Sequence, residues 1–264
     1  MIRFGLLLRR GQGLIVEGDE HCGQRVRGFH IEPGLRAFWS LFVRAKQVQS
    51  LGVLLRRNFV RYRNPHQFAG RYFNGLLVMN EDGDGWYYKR HLVPFGEYFP
   101  VPGFVRSWMR LMSLPYDDIS AGPEHQPSLR AAGQHLGLTI CYEDAFGSSQ
   151  LDVLRDATLL INVTNNAWYG DSTAPHQHLQ IARMRALEAG RFLIRAANDG
   201  ITAVIGPHGE LAATLPQFKE AVLRTDVQPL TGLTPYARVG NYPVVGGALG
   251  LLALTLLRRR RAGD

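Results

Sequence analysis

Cysteine is scarce in this chain of 264 residues, with only Cys22 and Cys141 present. Two cysteines cannot build a disulfide framework or a structural zinc site, so either is available for thiol chemistry. No acidic run, no periodic glycine and no internal repeat occurs. Their absence excludes an acidic disordered tail and a collagen-like repeat. With 45% hydrophobic and 20% charged residues, the composition is that of one compact domain.

A net charge of +8 invites a nucleic-acid reading, but its location argues otherwise. Residues 1–70 hold 12 Lys and Arg against 4 Asp and Glu, and the remaining 194 residues are balanced. Arg9, Arg10, Arg25, Arg27, Arg56, Arg57, Arg61 and Arg63 sit in no recognisable RNA- or DNA-binding pattern. No nucleic-acid partner is expected. A complete export signal is also lacking, since the apolar GLLL at residues 5–8 runs straight into Arg9 and Arg10.

From Arg71 to Gln228 short apolar runs alternate with turn signals, as in a layered α/β domain. The runs at 71–80 and 85–93 read as two strands joined by a hairpin turn across Asp82-Gly83-Asp84-Gly85. LGLTICYE (136–143) and ATLLINVT (157–164) read as buried strands, with a short helix between them at 148–157. Leu179, Ala182 and Ala186 fall on one face of a helix over 174–189, which Gly190 ends. Three further strands follow, separated by turns at 198–200 and 207–209.

Tyr242 to Leu257 is an uncharged apolar run of 16 residues, followed at once by Arg258 to Arg261. At 1.5 Å per residue it spans about 24 Å, slightly short of a ~30 Å hydrocarbon core, and arginine snorkelling can extend it. We expect one C-terminal transmembrane helix with its basic tail in the cytoplasm, against the alternative of a buried core helix.

Cys141 stands where an apolar strand emerges beside Glu143 and Asp144, the position from which active-site side chains project in α/β sheets. An inert core cysteine is the plain alternative. Lys89 lies in a charged triplet between aromatics and a Pro-Phe-Gly turn that ends in Glu97, and alone it reads as a solvated face. His176 and His178 form an H-x-H pair without a third ligand at zinc-like spacing, so no metal is expected. Asn165, Asn166 and Trp168 follow a strand and read equally as turn residues or as a loop near a site.

Four stretches together carry a resemblance: YYKRHLVPFGEYFP (87–100), LTICYEDAFG (138–147), the segment from Ile161 to Leu211, and GLTPYARVGNYP (232–243). From Arg71 onward the chain resembles the nitrilase (carbon-nitrogen hydrolase) superfamily, and within it the apolipoprotein N-acyltransferase branch. The resemblance implies a nitrilase-like four-layer α-β-β-α sandwich at the periplasmic side of a bacterial inner membrane, and a Glu-Lys-Cys triad. It gives Cys141 the nucleophile's place and Lys89 that of the triad lysine, with Glu97, Tyr142, Glu143 and Trp168 lining or supporting the site. It implies transfer of a fatty acyl chain from a phospholipid, through a thioester, to the N-terminal diacylglyceryl-cysteine of an apolipoprotein, with no cofactor. A soluble amidase using water as acceptor and a catalytically silent remnant are the alternatives.

The chain departs from that branch upstream. The branch carries its triad glutamate in a Trp-Pro-Glu context, and here only Glu17 and Glu20 lie near the expected place. We therefore read residues 1–70 as a poorly matching, Arg-rich segment, either disordered or the product of a truncated or frame-disrupted gene. Residues 71–238 are the catalytic domain, and 239–264 the membrane helix and tail.

Overall fold

Two sheets form because apolar side chains recur with a period of two along most strands, giving each strand a face to bury. The computed structural model describes residues 2–7, 52–55, 58–68, 71–79, 83–105, 119–219 and 221–262. The first sheet has the order β12-β1-β2-β3-β4-β5 and is antiparallel throughout. Its strands are β1 (Ile2–Leu7), β2 (Gly52–Leu55), β3 (Asn58–Phe68), β4 (Arg71–Met79), β5 (Gly85–Tyr88) and β12 (Val222–Val227). Three of these strands lie within residues 1–70.

The second sheet has the order β11-β10-β9-β8-β7-β6. Here β7 (Gln134–Ile140), β8 (Leu159–Asn165) and β9 (Leu193–Asn198) are parallel neighbours, flanked by antiparallel β6 (Leu129–Ala131), β10 (Ala203–Ile205) and β11 (Leu211–Thr214). A parallel strand is covered on both faces, which explains the near-continuous apolar reading of β8. Leu159, Ile161 and Val163 of β8 meet Leu76 and Val78 of β4 in the core between the sheets. Leu160 turns the other way, onto Leu179, Ala182 and Ala186 of helix α1 (Ala174–Ala189). Alanines let that helix lie close to the sheet. Gly190 ends it in the left-handed region at φ 61°, where a Cβ would come within 2.9 Å of Thr234.

The described residues thus make three layers, helix on sheet on sheet, and the α/β class and strand pattern agree with expectation. A helical layer outside the first sheet, the fourth layer expected, lies outside the described residues. One local difference is the connection after Cys141. In place of a helix at 148–157 the chain makes short 3-10 turns, Gly147–Gln150 and Val153–Arg155.

The expected transmembrane helix is corrected. Helix α2 (Pro235–Val239) is followed by α3 (Tyr242–Ala262), but no helix among the described residues is long and apolar enough to cross a membrane. The reason is length against charge. The uncharged run covers about 24 Å, and extending it to a bilayer's width draws in Arg258 and Arg259, while Gly246, Gly247, Gly250 and Thr255 dilute the remainder. The cytoplasmic placement of the tail falls with it.

Candidate active site

Strand register brings the candidate residues to one end of the sandwich. Tyr87 and Lys89 share a face by the period of two, and so do Asn74 and Leu76 on the neighbouring β4. Lys89 follows directly on β5, with its N–H donated to Asn74 O and its own carbonyl accepting from Gly122 N. Its ammonium is 1% exposed and sits 2.8 and 2.7 Å from the two oxygens of Glu97. Glu97 also accepts from Asn74 Nδ2 and, at 2.8 Å, from Val93 N. A buried ammonium needs such a partner, because desolvation without one costs several kcal/mol.

Cys141 follows the last residue of β7 and turns out of the strand at φ 51°, a region that L-residues enter only when held there. Its thiol is free and half-buried. Two residues on, Glu143 is completely buried and joins the two halves of the site. One of its oxygens accepts from Ile140 N and from Tyr87 O–H, both at 2.8 Å. The other accepts from Arg90 N at 2.6 Å and His91 N at 3.3 Å. Four donors from two segments 50 residues apart in sequence converge on one carboxylate. Glu143 therefore ties the bend at Cys141 to the chain that carries Lys89.

Burial, with the Glu143 charge second, pushes the Tyr87 phenol well above its ordinary value. The unfolded chain loses that proton near pH 10 while the fold keeps it. Stability carried by the neutral phenol is complete below about pH 10 and is lost as pH rises through the folded value. Denaturant unfolding of the wild type is expected to show a falling alkaline limb that Tyr87→Phe flattens. Equal slopes for the two proteins would contradict it.

A cleft of about 570 Å³ opens beside this junction, lined among others by Arg90, His91, Leu92, Tyr98, Tyr142 and Phe146. That volume suits a small-molecule or chain-end subsite. Tyr142 meets Phe146 edge to face at 5.1 Å, and Phe146 stacks on His91 at 4.2 Å, so aromatic rings line the cleft. Trp168, expected at the site, is 87% exposed on the turn Ala167–Tyr169. Its neighbour Tyr169 is the ring that senses the site: burial first, then the Cys141 and Tyr142 charges, raise its phenol.

Behind Cys141, a row of polar side chains crosses three adjacent strands on the helix side of the second sheet: Thr139, Asn162 and Arg195, in register. Arg195 is wholly buried and reaches Asp144 at 3.1 Å and Asn162 Oδ1 at 2.8 Å. Burial pulls its guanidinium down, opposed by Asp144 and Cys141. Asp144 also takes His178 Nε2 at 2.8 Å. His178 is thus engaged with a carboxylate and His176 is exposed, and no cluster able to hold a metal occurs among the described residues. The sequence reading noted Asp144 only as an acidic neighbour of Cys141 and missed Arg195. A charged residue inside the apolar run LIRAA was the available signal for a buried partner.

Both oxygens of Glu97, Glu143 and Asp144 accept hydrogen bonds from protein donors. Glu17 and Glu20 lie outside the described residues, as does Cys22.

Residues 41–236 match the model of the carbon-nitrogen hydrolase family. Among curated proteins the chain is 45% identical over 193 residues to the apolipoprotein N-acyltransferase of Methylococcus capsulatus, covering 73% of this chain and 38% of that one. It is 46% identical over 198 residues to that of Azotobacter vinelandii, covering 75% and 38%. The chain thus spans well under half the length of these relatives. Among solved structures, an amidase from Nesterenkonia sp. is similar at 20% identity and a TM-score of 0.49, covering 81% of this chain and 72% of that one.

Proposed function

Since the chain belongs to the carbon-nitrogen hydrolase family, we propose that it is an acyltransferase of that family. In this reading it moves a fatty acyl chain from a phospholipid to the N-terminal diacylglyceryl-cysteine of an apolipoprotein. The observation that carries the reading is the joint made by Glu143, which couples the strained bend at Cys141 to the buried Lys89 segment. Catalysis is assigned to residues 71–238, which hold Lys89, Glu97, Cys141, Tyr142, Glu143 and Trp168.

Cys141 is the nucleophile. A thiol of ordinary pKa near 8.5 is only a few per cent thiolate at neutral pH, so its proton must be drawn off as the sulfur attacks the ester carbonyl carbon. Taking that proton is the triad glutamate's part in the family, and Glu17 and Glu20, near its expected place only by rough position, lie outside the described residues. Lys89 stabilises the oxyanion that forms, and Glu97 holds the ammonium in place. Collapse expels the lysophospholipid alcohol, which takes the proton, and leaves a thioester on Cys141. The incoming α-amine, with a pKa near 8, is partly neutral at working pH and attacks that thioester. An amide forms, and the proton lost by the amine returns to the thiolate. Tyr142 lines the acyl path, and Trp168, exposed, meets substrate at the surface.

Both substrates carry long chains seated in a bilayer. The reading therefore puts the reaction at the bacterial inner membrane, with the catalytic domain on the periplasmic face. It invokes no metal or other cofactor.

The test is incubation of the purified chain with vesicles of acyl-labelled phosphatidylethanolamine. Label on the protein that hydroxylamine removes, and that a diacylglyceryl-cysteine peptide accepts as amide, is expected. Label released only as free fatty acid points to the amidase reading, and no thioester at all to a silent remnant.

A further inference from the structure

We infer that His178, oriented by Asn166 and paired with Asp144, is a positioning residue that holds the backbone at Cys141 and thereby aims its sulfur. The inference deepens the proposed function and rests on Cys141 being its nucleophile. Its basis is a set of hydrogen bonds that converge on the backbone carbonyl of Cys141.

His178 projects from the first turns of α1 toward the 3-10 turn Cys141–Ala145. Its Nε2 lies 2.8 Å from Asp144 Oδ1 and 3.2 Å from the carbonyl oxygen of Cys141. Both are acceptors, so Nε2 carries the proton. The other ring nitrogen, Nδ1, lies 3.4 Å from Asn166 Nδ2, which can only donate. On its other side that amide's Oδ1 accepts from Thr164 O–H at 3.1 Å. A proton on Nε2, with the amide N–H of Asn166 turned toward Nδ1, satisfies all of these contacts together.

A second grip comes from the sheet. Asn162 Nδ2 is 3.5 Å from the same Cys141 carbonyl and 3.0 Å from Thr139 Oγ1, and its Oδ1 is occupied by Arg195. The Cys141 carbonyl is therefore held from α1 and from β8. A cysteine at φ 51° relaxes toward negative φ unless its peptide planes are restrained. Turning those planes swings Cβ and Sγ about the same Cα. Holding the carbonyl is thus a way of pointing the thiol, without any contact between His178 and substrate.

The readout is the rate at which iodoacetamide alkylates Cys141 in the full chain, followed by mass spectrometry of the Cys141 peptide so that Cys22 does not contribute. Melting temperatures are recorded alongside. His178→Ala is expected to slow alkylation about tenfold, since small displacements of a reacting group carry large rate effects. His178→Gln, whose amide N–H can reach the same oxygens, is expected to recover to within about twofold of wild type. Wild-type alkylation in His178→Ala overturns the inference, and so does equal slowing in both variants, which would mark a general loss of structure. If His178→Ala does not fold, Asn166→Ala decides: slowed alkylation supports the inference and a wild-type rate overturns it. No lipid enters this measurement. Altered alkylation in a chain that forms no thioester would keep the positioning role while rejecting the acyltransferase reading.

Discussion

Cys141→Ala abolishes hydroxylamine-sensitive acyl label on the protein, and Lys89→Met lowers the rate of its appearance about 10²- to 10³-fold, the loss expected when one donor to a developing oxyanion is removed. The two variants fail for different reasons. The first lacks the atom that forms the bond, so Cys22 must stay unlabelled in it. The second keeps the thiol but loses the charge that Glu97 and Asn74 hold between the sheets. Lys89→Arg is not expected to rescue. The ammonium occupies a closed slot at 1% exposure, and a planar guanidinium needs more room and a different donor geometry. Label at near wild-type rate in Lys89→Met would remove Lys89 from the chemistry and leave its pairing with Glu97 a structural one.

The second large effect concerns stability. Arg195→Leu removes the cation facing Asp144 at a place where both side chains are excluded from water. Breaking a buried pair from one side strands the remaining charge, and a loss of about 3–5 kcal/mol in urea unfolding is expected. Adding Asp144→Asn to that variant removes the stranded charge and should recover at least half of the loss. Without such recovery, the deficit would come from lost guanidinium packing and not from electrostatics. Because Asp144 also receives His178, the single variant should disturb the bend at Cys141 as well, and the double variant should not restore it.

How much of this was legible beforehand follows from the range of each interaction. The strands β4, β7, β8 and β9 and the helix α1 were readable because burial periodicity and the Gly190 that follows the helix are local in sequence. The connection after Cys141 was read as helical, yet the chain folds it into 3-10 turns. The C-terminal helix was foreseen as a helix and misjudged as a membrane span, because 16 uncharged residues make a continuous apolar helix before they make a bilayer's width.

Residue types and spacing alone determined a layered α/β chain with a lone strand-end thiol, since alternation and turn chemistry act between near neighbours. Only the tertiary structure decided what surrounds that thiol. Glu143 collects donors from β5 and β7, and Asp144 faces Arg195 and His178 from β9 and α1, across separations of up to 56 residues. No local pattern records such pairings, because a buried charge selects its partner by proximity in the folded core, where few donors are available and an unmet one is costly.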